Sequence, residues 1–281
     1  MTGGADLARC GRIRLSGVDV RTSGSGRPPL LLLHGIGGSS ASFGPQLSGL
    51  ARGRRVVAWD APGYGDSPDL PGEPALDDYA AVVSGIVREL DLGPVHLLGV
   101  SWGGVIALRT ALRAPDAVRS LILADSSRGS GRTRAGAAAM RERVDDLTTR
   151  GPAEFARTRG PRLVAATAEP EVAAHVVDVM ANVRQRGYAN AARSMANTDH
   201  SAVLGRIAVP TLVLVGEQDV VTGTEESARL AGGIPGARLV RIAAAGHAAN
   251  QERPAEFNGA VERFLTGVDG PVGGTGGNDD A

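Results

Sequence analysis

Val95-His96-Leu97-Leu98-Gly99-Val100-Ser101-Trp102-Gly103-Gly104 is the stretch whose reading decides the fold. An apolar run closes on Gly99-x-Ser101-x-Gly103, and a helical pattern follows at once. This pattern predicts a buried strand, a tight turn with a serine at its tip, and a helix. Gly99 and Gly103 leave no Cβ where strand and helix crowd each other, so the turn can be sharp and Ser101 can take a strained conformation. The helix aims free N–H groups and the positive end of its dipole at the serine oxygen. A serine so placed is a candidate nucleophile. The competing reading is a glycine-rich turn that happens to hold a serine, and the short motif alone does not separate the two.

Working outward, the N-terminal side alternates apolar and polar residues from Arg12 to Val20 around Ser16-Gly17, which reads as an edge hairpin. Leu30 to Leu33 is a continuous apolar run, as expected of a strand buried on both faces. It ends in His34-Gly35-Ile36-Gly37-Gly38. This loop lacks Gly-x-Gly-x-x-Gly and Gly-Lys-Ser/Thr, so it is not a nucleotide phosphate cradle, and no cofactor is expected. Its backbone N–H groups suit an oxyanion hole. Arg55 to Asp60 reads as the next strand, with Asp60 as a turn cap, and Ala75 to Leu90 as an amphipathic helix with Asp77 and Asp78 in its first turn.

On the C-terminal side, a helix from Trp102 to about Ala114 and a strand Leu121–Ala124 ending at Asp125 are expected. From Ser126 to Leu204 the strand runs cease. Arg- and Ala-rich helical stretches replace them, broken at Gly151-Pro152, Gly160-Pro161 and Glu169-Pro170, with a third helix expected over about 171–186. Strands resume at 211–215 and 238–242, and a last helix follows over about 254–264. The expected organisation is a sheet domain from 1–125 and 205–266, interrupted by a helical lid at 126–204, with a disordered tail at 267–281.

Composition limits the function. The 281 residues carry 30 basic and 30 acidic side chains, so no charge surplus points to nucleic acid or an anionic membrane. Every basic residue other than histidine is arginine. The lone Cys10 excludes an intrachain disulfide, and the start has no apolar signal segment. No apolar run is long enough to span a bilayer, so a cytoplasmic protein is the expectation, as a monomer or homodimer.

Three residues stand at strand ends in the order Ser101, Asp219, His247. In an open parallel sheet those ends share one rim. A serine hydroxyl needs a base, imidazole is the base nearest neutrality, and the imidazole needs a carboxylate on its other nitrogen. Asp125 is the rival acid on this reading. His34 reads as a structural hydrogen-bonder and His96 as a strand histidine, while His175 and His200 fall in the lid; none pairs with a second histidine at ligand spacing, so no metal is expected.

With these pieces in place the chain resembles the α/β-hydrolase superfamily, and in particular its lid-bearing branch of esterases, 3-oxoadipate enol-lactonases and meta-cleavage-product hydrolases. The resemblance rests on 34–38, on Asp60-Ala61-Pro62-Gly63-Tyr64-Gly65-Asp66-Ser67, on 99–104, on 209–219, and on Gly246-His247 before Glu252-Arg253-Pro254. It implies an eight-stranded, mostly parallel sheet, with Ser101 as nucleophile, His247 as base and Asp219 as orienting acid. It also implies an oxyanion hole from the backbone N–H groups of Ile36 and Trp102. A serine at the nucleophile position argues against the branches that open epoxides or displace halide. Gly35, Gly37, Phe43, Tyr64 and Tyr188 are the candidates to line the pocket, and the Trp102 ring is expected on its floor. The expected activity is hydrolysis of a small ester or lactone through an acyl-enzyme. The alternatives are C–C bond hydrolysis, for which Arg128, Arg157 or Arg184 would bind a carboxylate, and non-hydrolytic use of the fold as a biosynthetic enzyme or ligand receptor.

Overall fold

The structure, a computed structural model, describes Leu7 and residues 10–270. Eight strands form one sheet: β1 (Gly11–Leu15), β2 (Val18–Ser23), β3 (Leu30–Leu33), β4 (Val56–Trp59), β5 (Val95–Val100), β6 (Val118–Ala124), β7 (Thr211–Gly216) and β8 (Arg238–Ile242). Their spatial order is β1-β2-β4-β3-β5-β6-β7-β8, antiparallel at the β1–β2 and β2–β4 pairs and parallel elsewhere. The chain leaves β3 toward β4 on one side and leaves β5 toward β6 on the other. The carboxyl ends of β3 and β5 therefore sit side by side at a switch point, with Leu33 paired to Gly99. That register brings the His34 loop beside the Ser101 turn.

The helices among the described residues are α1 (Gly44–Gly49), α2 (Leu76–Leu90), α3 (Trp102–Arg113), α4 (Arg134–Arg159), α5 (Pro170–Ala181), α6 (Gln185–Ala196), α7 (Gly223–Gly233), α8 (Ala249–Glu252) and α9 (Pro254–Asp269). Strand β3 shows how the sequence builds three layers. Its side chains alternate faces, so Leu31 and Leu33 join the core with α2 and α3, while Leu30 and Leu32 join the core with α1 and α9. All four are fully buried, each contributing on the order of 2 kcal/mol. Helix α2 buries Leu76, Tyr79, Val83, Ile86 and Leu90 at helical spacing and places Asp77 and Asp78 at its positive end.

The segment 126–204 holds α4, α5 and α6 and none of the strands. Helix α4 kinks at Gly151, whose φ of 75° breaks the helical path before Pro152. The third helical stretch differs from expectation. Helix α5 stops at Ala181 and α6 begins at Gln185, so the expected helix takes in nearly all of α5 and only the first two residues of α6. The final helix also runs beyond expectation, to Asp269, which pairs with Arg119 at 2.7 Å and His96 at 3.2 Å. Those contacts hold 267–269 in the fold; the rest of the expected tail, 271–281, lies outside the described residues. No helix of the described residues is long and apolar enough to cross a membrane.

Candidate active site

Ser101 joins β5 to α3 with φ 53° and ψ −116°, a backbone region that costs a non-glycine residue on the order of 1–3 kcal/mol. Hydrogen bonds on both sides of its peptide hold it there. Its N–H donates to the Ala124 carbonyl at 2.8 Å, and its carbonyl accepts the Ser126 hydroxyl at 2.8 Å and the Gly104 N–H at 3.0 Å. The flanking glycines are required by space. A Cβ on Gly99 would lie 2.3 Å from the Gly103 backbone, and one on Gly103 would lie 2.1 Å from the Leu33 carbonyl oxygen.

The His34 loop packs directly on this turn: a Cβ on Gly35 would be 3.1 Å from the Ser101 Cβ. His34 is fully buried and fixes the loop. Its Nε2 accepts the Ala61 N–H at 3.0 Å, so Nδ1 carries the proton and donates to the Gly35 carbonyl at 2.9 Å. Burial lowers its pKa and keeps it neutral. Asp60 caps the neighbouring turn, accepting the Ser40 N–H at 2.7 Å.

Asp219 and His247 follow β7 and β8, which pair through Gly216 and Ile242. His247 Nδ1 lies 3.0 Å from Asp219 Oδ2. The same carboxylate accepts the Thr222 hydroxyl at 2.5 Å and the Val221 N–H at 2.7 Å. Burial alone would raise its pKa, but the positive potential of His247 and these hydrogen bonds outweigh burial and hold it at about 2. Asp125, the rival acid, is fully buried, spends Oδ1 on the Gly216 N–H at 2.8 Å and leaves Oδ2 unpartnered. Burial, reinforced by Asp219, pushes its pKa well up.

Two cavities meet at Ser101, and Ile36, Leu163 and His247 line both. The first, about 60 Å³, is walled by Gly35, Gly37, Phe43, Val176 and Val179 and is mostly apolar. The second, about 130 Å³, is polar and is walled largely by 126–204, including Arg143, Arg159 and Tyr188. Of the expected lining residues, Gly35, Gly37, Phe43 and Tyr188 reach these cavities. Tyr64 does not: it is buried against the His34 ring at 4.9 Å and borders a separate hollow with Gly38 and His175. The Trp102 ring is not on the floor either. It lies fully in the core, edge-on to Tyr79 at 4.9 Å, with Nε1 donating to Ser194 Oγ of α6 at 2.9 Å.

The expected carboxylate binders point elsewhere. Arg128 is committed to Glu226 at 2.9 Å, Arg157 pairs with Glu154 on the surface, and Arg184 bonds the backbone carbonyls of Gly63 and Ser67. Glu252, to which the sequence reading gave no role, accepts the Gly246 N–H and the Ala165 N–H, each at 2.8 Å, and so ties the His247 loop to the helical segment 126–204. Its only sequence signal is its place five residues after His247 in the matching motif. Among the described residues no cluster of His, Cys, Asp or Glu could hold a metal ion.

A parallel sheet with a serine on a strained strand-to-helix turn and an Asp–His pair on the same rim defines the nucleophile-elbow class of proteins. Comparison with known proteins gives the family: the α/β hydrolase fold matches residues 28–254, and the chain belongs to it. It is 33% identical over 255 residues to a RutD protein of Variovorax paradoxus, provisionally named as a carbamate hydrolase, covering 86% of this chain and 93% of that one. It is 27% identical over 240 residues to 3-oxoadipate enol-lactonase 2 of Acinetobacter baylyi, covering 85% and 89%. An esterase from Thermogutta terrifontis, solved with malate bound, superposes with a TM-score of 0.85 at 28% identity, covering 92% of this chain and 99% of that one.

Proposed function

We propose that this protein is a serine hydrolase that cleaves a small carboxylic ester or lactone through an acyl-enzyme. The observation that carries the reading is the ionised Asp219 hydrogen-bonded to His247 on the rim where Ser101 is held at positive φ. Asp219 on Nδ1 leaves His247 Nε2 unprotonated, the tautomer a general base needs. His247 takes the Ser101 proton as Oγ attacks the substrate carbonyl, and the tetrahedral oxyanion forms against the N–H groups of Ile36 and Trp102. Each such donor is worth on the order of 3 kcal/mol in transition-state stabilisation. The imidazolium then gives its proton to the leaving oxygen. Water, deprotonated by the same imidazole, attacks the acyl-enzyme and restores Ser101 while releasing the acid. The cavities are small, which fits a small substrate.

The test is labelling and turnover together. A fluorophosphonate labels Ser101, and Ser101→Ala abolishes both the labelling and at least about 10⁴-fold of kcat on 4-nitrophenyl esters. Unimpaired ester hydrolysis by Ser101→Ala overturns the reading.

A further inference from the structure

The second cavity holds a charge imbalance that the hydrolytic chemistry does not use. Arg143 and Arg159 lie on opposite sides of the Gly151 kink in α4, and the kink lets residues sixteen apart in sequence face one cavity with Ser101 and His247. Neither guanidinium has a carboxylate partner. Among the described residues the side-chain hydrogen bond of Arg143 is Nη1 to Met140 Sδ at 4.0 Å, and Arg159 lies by Tyr188, with Asp146, already paired to Arg150, the acid that reaches it electrostatically. Glu226 is the only carboxylate lining this cavity, and Arg128 and Arg132 already share it at 2.9 and 3.4 Å.

Both arginines are half-buried. Burial, and then the charge of Arg159, brings Arg143 down to about 10, and burial likewise lowers Arg159. Both remain cations at neutral pH. Two like charges withdrawn from water beside each other are unfavourable unless an anion joins them. Several surface arginines pair within their own helix: Arg150, Arg157 and Arg229 each meet an acid three or four residues away. Tyr188 is buried beneath the pair, edge-on to Phe155 at 5.3 Å, and fixes one wall.

We infer that Arg143, Arg159 and Tyr188 form an anion subsite that binds a carboxylate carried by the substrate, a few bonds from the carbonyl presented to Ser101. The planar guanidinium fork matches a carboxylate two bonds at a time, so the subsite orients the substrate as well as attracting it. The apolar first cavity takes the uncharged half. This inference deepens the ester-hydrolase reading and rests on it for the placement of the scissile bond.

The experiment compares matched anionic and neutral esters on wild type, Arg143→Gln, Arg159→Gln and the surface control Arg157→Gln. One pair is 4-nitrophenyl hydrogen adipate and 4-nitrophenyl hexanoate, with the charge on the acyl side. The other is O-butanoylglycolate and ethyl butanoate, with the charge on the alcohol side. In wild type at least one anionic ester exceeds its neutral match in kcat/KM by tenfold or more. Each cavity variant, checked for native circular dichroism, lowers that ratio at least tenfold through KM, and Arg157→Gln leaves it unchanged. Preference for the neutral ester in both pairs, or an anion preference that survives both cavity variants, overturns the inference. If no ester is cleaved and Ser101 is not labelled, the hydrolase reading fails separately. The subsite is then judged by binding: adipate raises the Tm of wild type but not of the doubly substituted protein, and equal shifts overturn it.

Discussion

The turn at Ser101 and the kink at Gly151 both depend on glycine, yet they do opposite work. Around Ser101 the glycines are forced by contact, because backbone from β3, β5 and α3 fills the space a Cβ would need. At Gly151 a Cβ would meet nothing within 4 Å, and only the φ of 75° asks for glycine. One region is fixed by packing and holds the proposed nucleophile. The other is fixed by a local backbone preference and holds the groups that would select the substrate. The comparison teaches that chemistry sits where the chain has no freedom and specificity where it has some.

Gly103→Ala tests the first half of that contrast most harshly. Its Cβ meets the backbone of β3, which cannot yield, so the loss is about 4 kcal/mol or more, or the protein fails to accumulate folded. Urea denaturation reads this directly; a loss under about 1 kcal/mol would show that the turn is plastic and the contrast false.

Acid separates the regions next. His96 on β5 and His200 at the end of the lid segment are each brought down to about 4, by burial first and, for His200, by Arg109 second. An unfolded histidine binds its proton at about 6.5, above the folded value, so the unfolded state gains protons first. Stability is therefore full above about pH 6.5 and falls as pH drops toward 4, by up to about 3 kcal/mol per histidine. His96→Asn and His200→Asn each flatten the dependence of Tm on pH between 6.5 and 4. One unfolding transition carrying both slopes means that lid and sheet melt together. A first transition that loses its slope only in His200→Asn means that the lid melts alone.

Gly151→Ala has the smallest effect, about 1–3 kcal/mol in urea midpoint stability, because only the backbone at φ 75° and ψ 164°, a region open essentially to glycine, is penalised. A loss comparable to that of Gly103→Ala would erase the distinction between the two regions.

The same distinction explains what could be read from the sequence. The elbow, the glycine loop and the strand ends at Asp219 and His247 are written locally, as apolar runs closed by small or polar residues. Spacing alone gives no rule for what Asn182-Val183-Arg184 does: nothing there is a proline or glycine, yet α5 ends and α6 begins across it. The arginines were harder still. The lid is rich in them, and which ones pair with acids depends on neighbours far along the chain: Arg128 meets Glu226 from α7, while Arg143 meets no acid. Tyr64 and Trp102 were misplaced for a related reason. Sequence put their backbones beside the site, but the side chains turn inward to an aromatic cluster built from four separate segments.

The tie between the lid and the His247 loop has a consequence for timing. The Ala248 N–H donates to the Leu163 carbonyl at 2.8 Å, and Glu252 clasps Gly246 and Ala165 together. Residues 163–165 cannot swing away without breaking the Ala248 N–H bond next to His247 and freeing one arm of Glu252, whose other oxygen holds the Gly246 N–H. On the proposed mechanism, any movement that opens the site at 163–165 also loosens one anchor of the loop that carries the base.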